Sequence, residues 1–80
     1  MIDPIPNKSR VRLDEIQYAH CMKIAGAFMR KHGSIRNREL REAANISYDQ
    51  AIIFFNRAIV ARRLFRKGSG SATHYVLNAK

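Results

Sequence analysis

Eighty residues with 15 Lys and Arg against 6 Asp and Glu, a formal net charge of +9, describe one small basic domain. Hydrophobic residues at 46% exclude a disordered chain, no apolar run is long enough to span a bilayer, and the opening MIDPIPNKSR has prolines where a signal peptide has its apolar stretch. The single cysteine, Cys21, offers no intramolecular disulfide and fits a reducing cytoplasm.

Residues 1 to 11, with Pro4 and Pro6 and few apolar anchors, are expected to form a flexible N-terminal arm ahead of a domain over 12–80. Arg12 to His32 has helical periodicity and ends on Lys31, His32 and Gly33, cations in the last turn followed by a helix stop. Two apolar stripes run along it. One holds Leu13, Ile16, His20, Ile24, Ala27 and Phe28; the other, roughly opposite, holds Tyr18, Met22, Ala25 and Met29. A small domain packs on one helix face, so one stripe needs a partner, and a homodimer contact through Tyr18, Met22, Ala25 and Met29 is expected. The alternatives are that this stripe is the core and the first one needs the partner, or that the helix is buried on both sides by its own domain.

Ser34-Ile35 is a candidate short bridge, and Asn37 to Ala44 reads as a second helix. Asn45 follows, at a position where left-handed geometry is tolerated. Ser47-Tyr48-Asp49-Gln50 is a capping box that opens a third helix, from Tyr48 to about Arg62, with Ala51, Phe54, Phe55, Ala58 and Ile59 facing inward. Leu64 to Lys67 and Thr73 to Leu77 have strand character and flank a Gly/Ser turn, a hairpin signal. The expected fold is α+β, mainly α: a three-helix bundle with a C-terminal β-hairpin.

Charge is uneven along this frame. All six acids fall in the first 49 residues, and from Gln50 to Lys80 there are six cations and no anion. A polyanion partner follows, with nucleic acid the default over an anionic membrane surface or an acidic protein. The stretch NRELREAANISYDQAIIFFN matches E-L-x-E-x-φ-x-φ-S-x-x-x-A, with φ apolar, the pattern of a helix-turn-helix whose second helix enters the major groove. With the basic hairpin behind it, the segment from about 12 to 78 looks like a winged helix.

On the third helix, Asp49, Ile53, Asn56 and Val60 turn away from the inner stripe, with Tyr48, Gln50, Ile52 and Arg57 at its flanks. Gln50 and Asn56 suit adenine, Arg57 suits guanine or phosphate, and Ile53 suits a thymine methyl; exposed Ile53 and Val60 equally suit a protein partner. Arg36 and Arg38 are candidate phosphate contacts, as is Arg41 unless Glu39 and Glu42 pair with it. In the wing, Gly68 and Gly70 allow close backbone approach, Ser69 and Ser71 can donate to phosphate, and Arg66, Lys67 and His74 supply charge.

The segments ISYDQAIIFF and GSGSATHYVL resemble the FaeA-like regulators of fimbrial operons, small winged-helix proteins with a Tyr/Asp-Gln-Ala step opening the third helix and an Ala-Thr-aromatic step in the last strand. The resemblance implies a transcriptional regulator of duplex DNA, sometimes acting beside a larger regulatory protein, with contacts at Gln50, Ile52, Ile53 and the wing before Ala72. The chain departs from that pattern around Arg62-Arg63, where a Gly usually joins helix to strand, and in its Gly/Ser-rich wing and longer first helix.

Catalysis has little support. Asp14 and Glu15 are adjacent and diverge on a helix, Glu39 and Glu42 sit among arginines, and His20, Cys21, His32 and His74 lack metal-ligand spacing. No enzymatic activity, cofactor or metal is expected. The expectation is a cytoplasmic, nucleoid-associated, sequence-specific double-stranded DNA-binding regulator, homodimeric on an inverted repeat and without a membrane role. A protein-binding adaptor or antirepressor, or a nonspecific nucleic-acid binder, is the alternative.

Overall fold

A computed structural model describes residues 12–78; the expected arm at 1 to 11 lies outside the described residues, as do 79 and 80. Three helices, α1 (Glu15–His32), α2 (Asn37–Ala44) and α3 (Tyr48–Val60), precede an antiparallel hairpin of β1 (Leu64–Lys67) and β2 (His74–Leu77). The arrangement is α+β and mainly helical, as the periodicities imply. Among the described residues no helix is long and apolar enough to cross a membrane.

Helix α1 begins at Glu15, not at Arg12, because Asp14 caps it. The Asp14 carboxylate accepts from the Gln17 N–H at 2.8 Å, and the Gln17 side chain accepts from the Asp14 N–H at 3.0 Å. This is a capping box, so Arg12 and Leu13 stay outside the helix. Leu13 is nonetheless buried. It and Tyr18 occupy the two positions of a hydrophobic staple around Asp14. At the other end Gly33 takes φ 93 and its N–H reaches Met29 O at 2.7 Å.

The inner stripe of α1 is the one expected to hold a dimer contact. Ala25 and Met29 are fully buried, Met22 packs against the core, and the Tyr18 ring lies 5.4 Å from that of Phe54. Cys21 joins them at 1% exposure, and burial raises its thiol pKa, so it packs as a neutral group. Ala25 and Met29 are thus spent on the core of their own domain, while Tyr18 and Met22 are half-buried against it. The opposite stripe is outward and loosely covered: Ile16 is exposed, as are His20 and Ala27, while Ile24 and Phe28 are half-buried.

Helix α2 contributes Leu40 to the core, and α3 contributes Ala51, Phe54, Phe55 and Ala58. Their link is the tight turn the sequence implies. Asn45 takes φ 56, and Ser47 caps α3 by accepting from the Gln50 N–H at 3.1 Å. The C-terminus of α3 is a Schellman motif: Arg63 N–H bonds Ala58 O at 2.8 Å and Arg62 N–H bonds Ile59 O at 2.9 Å. Arg62 holds the left-handed position, at φ 61, where glycine is the usual residue. The hairpin helps to hold it there, since the Asn78 side-chain amide donates to Arg62 O at 2.7 Å.

Ile35 forms an isolated bridge with Tyr75, with hydrogen bonds of 2.9 and 2.8 Å, and is fully buried. The hairpin is thereby tied to the segment between α1 and α2. Tyr75 is tied to α3 as well, for its ring stacks on Phe55 at 3.8 Å and 6°. One residue thus fixes the hairpin against two other parts of the fold.

Candidate nucleic-acid interface

The hairpin register decides which wing residues share a face. Arg66 lies opposite Tyr75 and Leu64 opposite Leu77, while Phe65 pairs with Val76 and Lys67 with His74. Side chains alternate along a strand, so Leu64 and Arg66 share the face carrying Tyr75, the face that meets α3. Lys67 and His74 fall on the opposite face. His74 is also engaged locally: its Nδ1–H donates to Ala72 O at 2.8 Å.

Between this inner face, α2 and α3 opens a cleft of about 590 Å³. Arg36, Arg38 and Arg41 line it from α2 and its N-cap, Tyr48, Ile52 and Asn56 from α3, and Arg66, Gly70, Ser71, Thr73 and Tyr75 from the wing. Asn37 completes the lining, which contains no carboxylate. The three α3 residues recur every fourth position, so they form one ridge along the helix.

The arginines differ in how they are held. Arg41 Nε donates to Asn37 Oδ1 at 2.6 Å and its guanidinium lies 5.5 Å from the Tyr48 ring centroid, a bridge from α2 to the start of α3. Arg38 pairs with Glu42 at 3.2 Å, both side chains well exposed, an i,i+4 contact that is easily exchanged for another anion. Glu39 is spent on the Arg36 backbone N–H at 2.8 Å. Among the described residues the guanidinium groups of Arg36 and Arg66 have no hydrogen-bond or ion-pair partner.

The wing tip is a built turn. Ala72 N–H bonds Ser69 O at 2.9 Å, and both the N–H and the hydroxyl of Thr73 reach Gly70 O, at 3.2 and 2.9 Å. A single 3-10 turn over Gly70–Ala72 results, which turn chemistry in the sequence does not foretell. Gly68 sits at φ 77, and a Cβ there would overlap the Ala72 carbonyl. Gly68→Ala is therefore expected to open the tip: faster hydrogen exchange at the Ala72 and Thr73 amides, unchanged exchange at Leu40, and a loss of about 1–3 kcal/mol locally.

Seven of the residues expected to contact DNA stand on the cleft: Arg36, Arg38, Tyr48, Ile52, Asn56, Arg66 and Ser71. The others do not. Ser69 is exposed beyond it, and Asp49 is exposed in the first turn of α3. Ile53 is half-buried against the core rather than exposed. Two corrections concern side chains that fold back. Gln50 Nε2 donates to Arg12 O at 3.1 Å while its Oε1 accepts from the Ser47 N–H at 3.1 Å, so its amide is engaged at both ends. Arg57 donates to Leu13 O at 3.0 Å and to Glu15 at 2.9 Å, with its guanidinium 4.2 Å from the Tyr18 ring centroid. Both clamp the start of α1 onto α3. The Ser47–Gln50 contact is the capping box read from the sequence, but the contacts to Arg12, Leu13 and Glu15 are not visible there, since each spans about forty residues.

Arg57→Ala should accordingly lower stability by about 1–2 kcal/mol in a denaturant melt while leaving the salt slope of any nucleic-acid binding unchanged. Glu15→Gln, at an exposed carboxylate, should cost well under 1 kcal/mol by the same measurement.

Three residues of the cleft were not singled out from sequence: Asn37, Thr73 and Tyr75. Tyr75 could have been found from register, because an antiparallel hairpin closed over the Gly/Ser turn puts it opposite Arg66. Among the described residues no group of three or more His, Cys, Asp or Glu could hold a metal ion. No family model, curated protein or solved structure matches the chain.

Proposed function

We propose that this protein is a winged-helix regulator that binds double-stranded DNA, with α3 in the major groove and the wing on the flanking backbone. The observation that carries the reading is the cleft, where arginines from α2 and from the wing flank the Tyr48–Ile52–Asn56 ridge of α3. A duplex offers two phosphate ridges either side of the major groove, and arginines on both sides of a reading helix match that geometry. Uncommitted Arg36 and Arg66 and exchangeable Arg38 are the phosphate donors. Arg41 positions the start of α3 through Tyr48. The layout of three helices and a hairpin is consistent with a winged helix, and the resemblance to FaeA-like regulators supports the same assignment.

Fluorescence anisotropy with mixed-sequence duplex DNA at several salt concentrations tests this. Each phosphate engaged contributes about 0.9 to the log–log salt slope, so a slope of roughly 3 is expected from the three arginines named. No binding even at low salt would refute the assignment.

A second reading has an observation of its own. Val60 is 82% exposed and Ile16 81%, and a shallow, largely apolar groove of about 340 Å³ is lined by Asn56, Arg57, Val60 and Ala61. This flank is where a larger regulatory protein or a second copy would dock. It replaces the Tyr18–Met29 stripe as the candidate for protein contact.

A further inference from the structure

Resting on the DNA-binding assignment, we propose that α3 selects A·T base pairs at the centre of its site, with Asn56 reading adenine and Ile52 meeting the thymine methyl. The only cation on α3 is Arg57, and its guanidinium is held by Leu13 O, Glu15 and the Tyr18 ring. Gln50, the second amide on α3, is engaged at both ends of its side chain. Guanine presents two acceptors, N7 and O6, in the major groove, and the usual reader is a bidentate arginine or lysine. No such side chain remains on this helix.

What remains selects differently. Asn56 is exposed and has no hydrogen-bond partner among the described residues. Its amide offers one acceptor and a donor side by side, the complement of adenine N6 and N7. Ile52 lies one turn earlier on the same ridge, half-buried, with an aliphatic surface facing the cleft. Among the four bases only thymine carries a methyl group there. The cleft arginines lie on α2 and the wing, to the sides of this face, where they meet backbone and carry no base preference.

Selection of duplexes from a random pool by the full chain tests the proposal. The expected motif has adjacent A·T pairs at its core. Replacing the core thymines by uracil, which removes only the methyl, should weaken binding about fourfold per methyl, given about 0.8 kcal/mol for each buried carbon. Ile52→Ala should abolish that penalty. Asn56→Ala, at an exposed position, should reduce the preference for adenine over guanine at one position from about tenfold or more to near unity, with an unchanged circular-dichroism melt. A core of G·C pairs, or uracil duplexes bound as tightly as thymine duplexes, would overturn the selectivity and leave DNA binding intact. A pool with no retained duplex at low salt would overturn both.

Discussion

Replacing Arg36 and Arg66 together by alanine is expected to weaken duplex binding about 30-fold near 0.1 M salt and to lower the log–log salt slope by about 1.8. The slope follows from two phosphates at about 0.9 each. The affinity change follows from two charge-assisted contacts that together contribute about 2 kcal/mol net of solvation. These two are the informative pair because neither guanidinium has a hydrogen-bond or ion-pair partner among the described residues, so their loss removes no such bond from the fold. Arg66 comes from the wing and Arg36 from the N-cap of α2, so the pair also tests whether the two sides of the cleft act on one ligand. Lys67→Ala is the control. Lys67 carries the same charge one residue along the strand but lies on the opposite face of the hairpin, and its substitution should change the slope by well under one phosphate.

The largest effect on stability is expected at Phe55. It is 1% exposed, lies 5.3 Å from Phe54 in an edge-on contact, and stacks on Tyr75 at 3.8 Å. Phe55→Ala should cost about 3–5 kcal/mol. A domain of this size is stable by about 4–12 kcal/mol, so the variant should lose much of its cooperative thermal transition near 37 °C. Phe55→Leu keeps most of the apolar volume and forfeits the stack, and should cost about 1.5 kcal/mol. The loosened Tyr75 anchor should then show as faster exchange of the Ile35 and Tyr75 amides, which bond to each other across the bridge. A Leu variant with unaltered exchange there would mean that the stack does not hold the wing.

Local signals made most of the fold legible. The Ser47–Gln50 box, Gly33 after a basic turn, and the Gly/Ser turn between two apolar-rich strands each act through backbone groups a few residues apart. The end of α1 and the start of α3 follow from them directly, and left-handed Asn45 marks the end of α2. The Asp14–Gln17 box is equally local, and it alone accounts for the later start of α1. Which stripe of α1 faces inward is not local. Both stripes are apolar, and the choice is made by Phe54 and Phe55 from α3, which meet Tyr18, Met22 and Ala25 in the core.

The candidate site divides the same way. Arg36, Arg38 and Ser71 could be placed from their elements alone, and Arg66 from strand alternation. Gln50 and Arg57 could not be, because a residue's helix angle says where its side chain leaves the backbone and not what it finds there. Both point to the flank of α3 on which α1 begins, and there they meet the unsatisfied carbonyls of Arg12 and Leu13. Arg62 is the reverse case. Its place after α3, where the sequence lacks the usual glycine, is a left-handed position held by the Schellman bonds and by Asn78.

The most direct test of the cleft as the DNA-binding surface is amide chemical-shift mapping of the labelled protein during titration with a short duplex. The largest changes are expected at Arg36–Arg41, Tyr48, Ile52, Asn56, Arg66 and Gly70–Thr73, with Ile24 and Phe28 on the far side of α1 unmoved. Changes confined to Ile16, Val60 and Ala61, or no changes at all at low salt, would contradict it.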